Sequence, residues 1–224
     1  YYTSGYWSLN GQIFPAQNLC IIPKKGLISY QNIAYEGIFS LCIHDGRAYL
    51  VNTLDLEEYV STVLLYESIP SWPDEVQKAL SIACRTYAIN VILHKRSHAS
   101  DLPYDLKATV DDQVYKGHKR KQSLRHIVAQ TKGKILTFQR KPILAMYSAV
   151  CGGIIPSKKN SSILEKAPYL KRPYQCTHCK EHTLYRWNLK LNLEDIASTL
   201  NMPELGDIID IAINGHDKAG VAQK

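Results

Sequence analysis

The sequence predicts an α+β fold, a mixed β-sheet with a long central helix, a β-rich N-terminal portion and a long cysteine-containing loop. Three observations predict it. Residues 37–43 and 47–51 are apolar, strand-like runs flanking His44-Asp45-Gly46, a glycine-containing hairpin signal. Between Pro73 and Lys95, apolar residues recur every three or four positions, the period of one helix face. Residues 154–186 show no period and hold Cys176-Thr177-His178-Cys179, which reads as a long loop.

The elements follow in order. After the β-rich stretch 1–51, Thr53 stands where it would cap a short helix carrying Leu56, Tyr59, Val60 and Val63, and that helix delivers the chain to Glu67. Pro70-Ser71-Trp72-Pro73-Asp74-Glu75 is a helix start, with Ser71 expected as the N-cap and acids in the first turn beside the positive end of the dipole. The helix should run to about Lys95 and bury Val76, Ala79, Leu80, Ala83, Tyr87, Val91 and Ile92. Residues 97–118 are irregular, and Arg120–Gln130 reads as a third helix ending at Gly133. Lys134–Phe138 and Ile143–Val150 read as strands joined by Gln139–Pro142, with Cys151-Gly152-Gly153 breaking the second. A short helix over Leu193–Leu200 and a strand over Asp207–Ile213 complete the chain. The expected partition is a β-rich portion, 1–51, and a second domain, 52–224.

Composition excludes some classes and leaves others open. The 224 residues include 45% hydrophobic and 21% charged side chains, which argues against disorder or a fibrous class. A chain of this length buries roughly 70% of the surface its unfolded state exposes. Fifteen tyrosines accompany three phenylalanines; such amphipathic rings suit clefts that hold sugars and serve equally as strand filler. The net charge of +7 fits an anionic partner, whether nucleic acid, a membrane surface or an acidic wall polymer. Nucleic acid is not expected, because the basic run Lys116–Lys121 lacks interleaved aromatics. No stretch approaches about 18 apolar residues, so no transmembrane segment is expected. The chain opens at Tyr1 without a methionine, so any targeting segment is expected to be missing from it.

Two groups of residues carry chemistry. Glu67 ends an apolar helix and precedes a proline turn, a setting in which partial desolvation prepares a carboxyl group for proton transfer. Cys151, Cys176 and Cys179, with His178 and His182 nearby, form a ligand set suited to tetrahedral zinc. The six cysteines are even in number, so a disulfide and free thiols stay open beside zinc.

Several short blocks occur in collinear order: Val51–Val60, Glu67–Glu75, Ala83–Ala88, Tyr104-Asp105-Leu106, Asp112–Tyr115 with Gly117, Thr131–Gly133, Ala145–Ser148 leading to Cys151-Gly152-Gly153, and Pro168–Leu170. Together they resemble the stage II sporulation protein D (SpoIID-like) family. That resemblance implies a peptidoglycan lytic transglycosylase or its amidase-enhancer relatives, acting outside the cytoplasm in the cell envelope. It places the catalytic residues on Glu67 and on Arg85, the family's helix arginine, which would hold Glu67 ionised or bind a substrate carboxylate or carbonyl, with Gln113, Tyr115, Tyr147 and Ser148 as substrate-binding positions. Arg85 has a structural alternative, an ion pair with Asp74 or Glu75. Some family members carry a Cys/His metal site, which implies structural zinc held by Cys151, Cys176, Cys179 and His182. Family members usually continue into a Gly/His-rich block, and this chain ends at Lys224 without one, so the domain is expected to be truncated. Partners implied are peptidoglycan glycan strands and a cell-wall amidase.

Overall fold

The computed structural model describes residues 2–3, 5–117, 124–151, 168–170, 176–200, 208 and 210–215. They are mixed β-strands and α-helices, the α+β class expected. The chain divides into two compact units, Tyr1–Met146 and Tyr147–Lys224.

The first unit begins with short antiparallel strands. Strands β1 (Tyr2–Thr3), β2 (Tyr6–Leu9) and β3 (Gln12–Phe14) form one sheet in that order. Trp7 anchors it, buried with its indole N–H donating to the Gln17 carbonyl at 3.1 Å. Strand β4 (Leu19–Ile21) pairs with β7 (Ile38–His44), which pairs with β8 (Arg47–Thr53); β5 (Ile28–Tyr30) and β6 (Ile33–Tyr35) make a separate hairpin. The expected β7–β8 hairpin forms with His44 opposite Arg47, so its turn is Asp45-Gly46. Both turn residues have positive φ, 47° and 70°, the geometry that matches the twist of the flanking strands. The boundary expected after residue 51 falls inside β8.

Helix α1 (Leu56–Glu67) follows β8 directly. Its N-cap is Asp55, not Thr53: the Asp55 carboxylate accepts the Glu57 N–H at 2.8 Å. A carboxylate is the better cap because it also faces the positive dipole end. Tyr59, Val60, Val63 and Leu64 are buried, as the spacing requires. Pro70 lies three residues beyond Glu67, and Ser68 closes the helix by donating its backbone N–H to the Leu64 carbonyl.

Helix α2 (Asp74–Ser97) is the long helix, 24 residues. Pro73 occupies its N-cap position and no side chain caps it, so the cap expected of Ser71 does not form. The buried face also differs from the expected apolar stripe. Val76 is 46% exposed, whereas Gln77, Ser81, Cys84, Arg85 and Ala88 are buried. These recur at helical spacing, but most are polar, and partners on α1 and around residue 131 satisfy them. Helix α3 (Arg125–Gln130) buries Ile127 and Val128 between α1 and α2; the first residues of the expected helix, 120–123, lie outside the described residues. Val60, Val63, Leu64 and Ile127 are completely buried and make the apolar centre of this layer. Each contributes roughly 1.5–3 kcal/mol of burial.

The expected strand Lys134–Phe138 shrinks to β9 (Thr137–Phe138), paired with β10 (Lys141–Pro142). The expected strand Ile143–Val150 does not form, and a single N–H from Ile143 reaches the Leu136 carbonyl. Apolar residues alone do not make a strand without a ladder partner.

The second unit holds helix α4 (Leu193–Leu200), as expected, and 3-10 turns at Pro168–Leu170 and Thr183–Tyr185 within the stretch read as a loop. Most of the expected loop 154–186 lies outside the described residues. Of the expected strand 207–213, the described residues 208 and 210–213 form no strand. Among the described residues, no helix is long and apolar enough to cross a membrane.

Candidate active site

Glu67 is the last residue of α1 and is half-buried. Its Oε1 accepts the Val114 N–H at 2.8 Å, and it makes no ion pair among the described residues. A carboxyl group held by one neutral donor keeps its second oxygen available for proton transfer.

The segment that supplies this N–H is fixed along its length. Tyr87 donates its hydroxyl to Asp112 Oδ1 at 3.0 Å, and the Lys107 N–H reaches Asp112 Oδ2 at 2.8 Å. Burial, then the charge of Asp112, pushes the Tyr87 hydroxyl up to about 12. Tyr59 donates to Gln113 Oε1 at 3.1 Å, and the Gln113 amide donates to the Cys84 carbonyl at 3.3 Å. The Tyr115 hydroxyl donates to Asn52 Oδ1, and the Tyr66 hydroxyl to the Lys116 carbonyl at 3.3 Å. The turn after Glu67 is pinned from α2. Gln77, 1% exposed, donates to the Ile69 carbonyl and accepts from Ser68, each at 2.8 Å.

Gln113 is completely buried, so its side chain serves the scaffold behind Glu67. Tyr115 lies half-buried, its ring stacked on Tyr59 with centroids 5.5 Å apart. Both rings, with Tyr30, Tyr35, Tyr49 and Tyr104, line a cavity of about 700 Å3. Glu67 is not among the residues lining it.

Arg85 is completely buried and pairs with Glu57, not with Asp74 or Glu75: Nε donates to Glu57 Oε1 at 2.9 Å and Nη2 to Oε2 at 2.7 Å. Nη1 donates to the Lys134 carbonyl at 3.1 Å. Five donors in a rigid fork suit such a junction, where α1, α2 and the residues after α3 meet. Sequence reasoning missed Glu57, Gln77, Tyr59 and Asn52. Gln77, Ser81, Arg85 and Ala88 stand four, four and three apart, a spacing that marks a second helix face.

Tyr147, half-buried, and Ser148, exposed, belong to the second unit. So do Cys151, Cys176, Cys179 and His182. Among the described residues, no three Cys, His, Asp or Glu side chains are grouped to hold a metal ion. Cys176 and Cys179 are free thiols flanking a turn, and His182 Nδ1 accepts the Leu184 N–H at 3.1 Å, capping the 3-10 turn.

Comparison with known proteins covers this same region. The SpoIID family model, described as stage II sporulation protein, matches residues 44–138. An uncharacterized protein of Brachyspira hyodysenteriae is 34% identical over 145 residues, 61% of this chain and 39% of its own length. The stage II sporulation protein D of Bacillus amyloliquefaciens is 24% identical over 200 residues, 83% of this chain and 54% of its own. That of Bacillus subtilis is 31% identical over 137 residues, 54% of this chain and 38% of its own. The chain thus spans about half or less of the curated relatives it matches. The matched residues run from the end of β7 through α1, α2 and α3 to β9 and carry Glu67 together with the scaffold that holds it, and over them the chain is similar to the SpoIID family.

Proposed function

We infer that the chain acts on the bacterial cell wall as a peptidoglycan lytic transglycosylase, with Glu67 as the single acid and base. One observation carries this reading: the Glu67 carboxyl group is half-buried, held by the neutral Val114 N–H and joined to no cation among the described residues. In the proposed reaction, Glu67 protonates the oxygen that bridges N-acetylmuramic acid to N-acetylglucosamine. As a carboxylate it then takes the proton of the sugar's own 6-hydroxyl as that oxygen closes on C1, leaving a 1,6-anhydro end. An internal nucleophile gains its advantage from proximity, so no second carboxylate is needed to activate water.

In this reading Arg85 is a positioning residue. It fixes α1 against α2 through Glu57, and α1 ends on Glu67. Gln113 and Tyr115 hold the segment that presents the Val114 N–H. Tyr147 and Ser148 remain proposed glycan contacts, and the proposed location is the extracytoplasmic side of the envelope. Structural zinc at Cys151, Cys176, Cys179 and His182 is a separate proposal that requires those residues to draw together; no step of the reaction depends on it.

The test is to incubate the protein and Glu67→Gln with purified glycan strands, with and without stem peptides, and to analyse the products by mass spectrometry. Anhydro ends from the parent protein and none from the variant support the assignment. Equal products from both would exclude Glu67 from the chemistry.

A second reading is a non-catalytic module that holds glycan and stimulates a cell-wall amidase. The observation favouring it is that the tyrosine-lined cavity of about 700 Å3 does not include Glu67. Absence of products from either protein, with an amidase accelerated on addition of the chain, selects this reading.

A further inference from the structure

The cavity of about 700 Å3 in the first unit collects six of the fifteen tyrosines of the chain. They come from β5 and β6, from β8, from α1 and from the irregular segment 102–115. Tyr49 and Tyr104 lie with ring centroids 5.9 Å apart, tilted by 35°, and Lys95 Nζ stands 4.5 Å from the Tyr104 centroid. Tyr30, Leu50 and Leu102 are 45%, 39% and 38% exposed, whereas Tyr59 is 9% exposed, so the cavity opens to solvent along the first three. Its size lies within the roughly 300–1,000 Å3 of small-ligand sites.

The chemistry of the lining narrows the ligand. At the rim Lys107 pairs with Asp111 at 3.0 Å and Arg96 stands 3.9 Å from Asp105, while the Lys95 ammonium rests on the Tyr104 ring. The acids of the lining, Asp105 and Asp111, already have cationic partners and ring faces make up much of the rest, which favours a neutral ligand. The hydroxyls of Tyr59 and Tyr115 are committed to Gln113 and Asn52. Among the described residues, those of Tyr30, Tyr35, Tyr49 and Tyr104 take no hydrogen-bond partner. Apolar ring faces beside available hydroxyls suit a molecule that presents C–H faces and hydrogen-bonding groups together. A neutral, N-acetylated sugar meets that description; an aliphatic chain would use the faces and leave the hydroxyls unsatisfied.

We propose that this tyrosine-lined cavity is a second glycan-binding site, separate from Glu67, that holds one or two N-acetylated sugar units. The two places are neighbours along one segment. Val114 gives its N–H to Glu67, and the next residue, Tyr115, turns its ring into the cavity lining. The inference rests on the preceding reading only for the choice of an N-acetylated sugar.

Isothermal titration with the tetramer of N-acetylglucosamine tests it, using the full chain, Glu67→Gln, Tyr104→Ala, Tyr104→Phe and Tyr30→Ala. The tetramer should bind the parent saturably, and Glu67→Gln serves as the background in which no glycan is cleaved. Binding should weaken about tenfold in Tyr104→Ala and severalfold in Tyr104→Phe and Tyr30→Ala, in proteins whose melting midpoints match the parent. Tyr30 is exposed and Tyr104→Phe removes one oxygen, so both keep the test valid if Tyr104→Ala fails to fold. No saturable binding to the parent, or undiminished binding to Tyr30→Ala and Tyr104→Phe, overturns the proposal. So does a hydrophobic dye that fills the cavity and is not displaced by the tetramer. Binding with no cleavage removes the catalytic reading and leaves the cavity standing, whereas cleavage with no binding does the reverse.

Discussion

Replacing Glu57 with alanine tests whether the Arg85 junction organises the helical layer. The Arg85 side chain has no solvent exposure, and Glu57 is 21% exposed. Alanine removes both acceptors, at 2.9 and 2.7 Å, and leaves a buried guanidinium with the neutral carbonyl of Lys134 at 3.1 Å among its contacts. Removing one partner of a buried pair costs about 3–5 kcal/mol. Partial exposure of Glu57 places this pair at the lower end, about 3 kcal/mol. For a chain of this size that is a fall of about 6–12 °C in the melting midpoint, read by far-UV circular dichroism, to which α1 and α2 contribute strongly. The double variant Glu57→Leu/Arg85→Met removes both charges and should melt above Glu57→Ala. A shift below about 2 °C for Glu57→Ala, or a double variant less stable than either single, would refute the reasoning.

Further predictions follow from other contacts. Asp55→Ala removes the α1 cap and should cost about 1 kcal/mol in urea unfolding, while Thr53→Ala should cost less than half of that; reversal would restore Thr53 as the cap. Gly37→Ala should cost more than about 2 kcal/mol, because φ is +83° and a Cβ would stand 2.1 Å from the Thr53 carbonyl oxygen; near-parent stability would contradict the placement of that turn. Burial, then hydrogen bonding to and repulsion by Glu36, hold the Glu58 carboxyl above its ordinary range, with Arg125 opposing. The folded state therefore binds that proton more tightly than the unfolded chain. The stabilisation is present below about pH 4.3 and is lost as pH rises through the raised folded value. Glu58→Gln should flatten this part of the stability profile, and an unchanged slope between about pH 4 and 6 would exclude Glu58 as its source.

What the sequence revealed and what it hid have physical causes. The β7–β8 hairpin, α1 and α2 were legible because their signals are local: a two-residue turn, a proline boundary and a repeating period. The bounds of α4, Leu193–Leu200, were read for the same reason. The buried face of α2 was not legible. Apolar residues outnumber polar ones along its other faces, and only the positions of Glu57 and Thr131 in space make Arg85 and Ser81 interior. Glu67 was singled out by its place at a helix end. The N–H that holds it comes from Val114, 47 residues later in the chain, and no local pattern announces that pairing. The tyrosine excess was visible as composition, but the cavity assembles it from segments between residues 30 and 115. Ile143–Val150 failed as a strand because strand formation depends on a partner edge that composition does not encode.

The course of β8 into α1 has a practical consequence for anyone shortening this protein. A version started at residue 52 would cut β8 two residues before its end and discard β7, with the backbone carbonyls of Glu36 and Ile38 that receive the Asn52 amide. Three of the six cavity tyrosines, Tyr30, Tyr35 and Tyr49, would be gone, and the other three, Tyr59, Tyr104 and Tyr115, would lose that side of the lining. Arg125 would lose its ion pair with Glu36, one of its contacts across from the helical layer. The small N-terminal strands are thus part of the wall that shapes the helical layer, and a minimal functional fragment must retain at least β5 to β8.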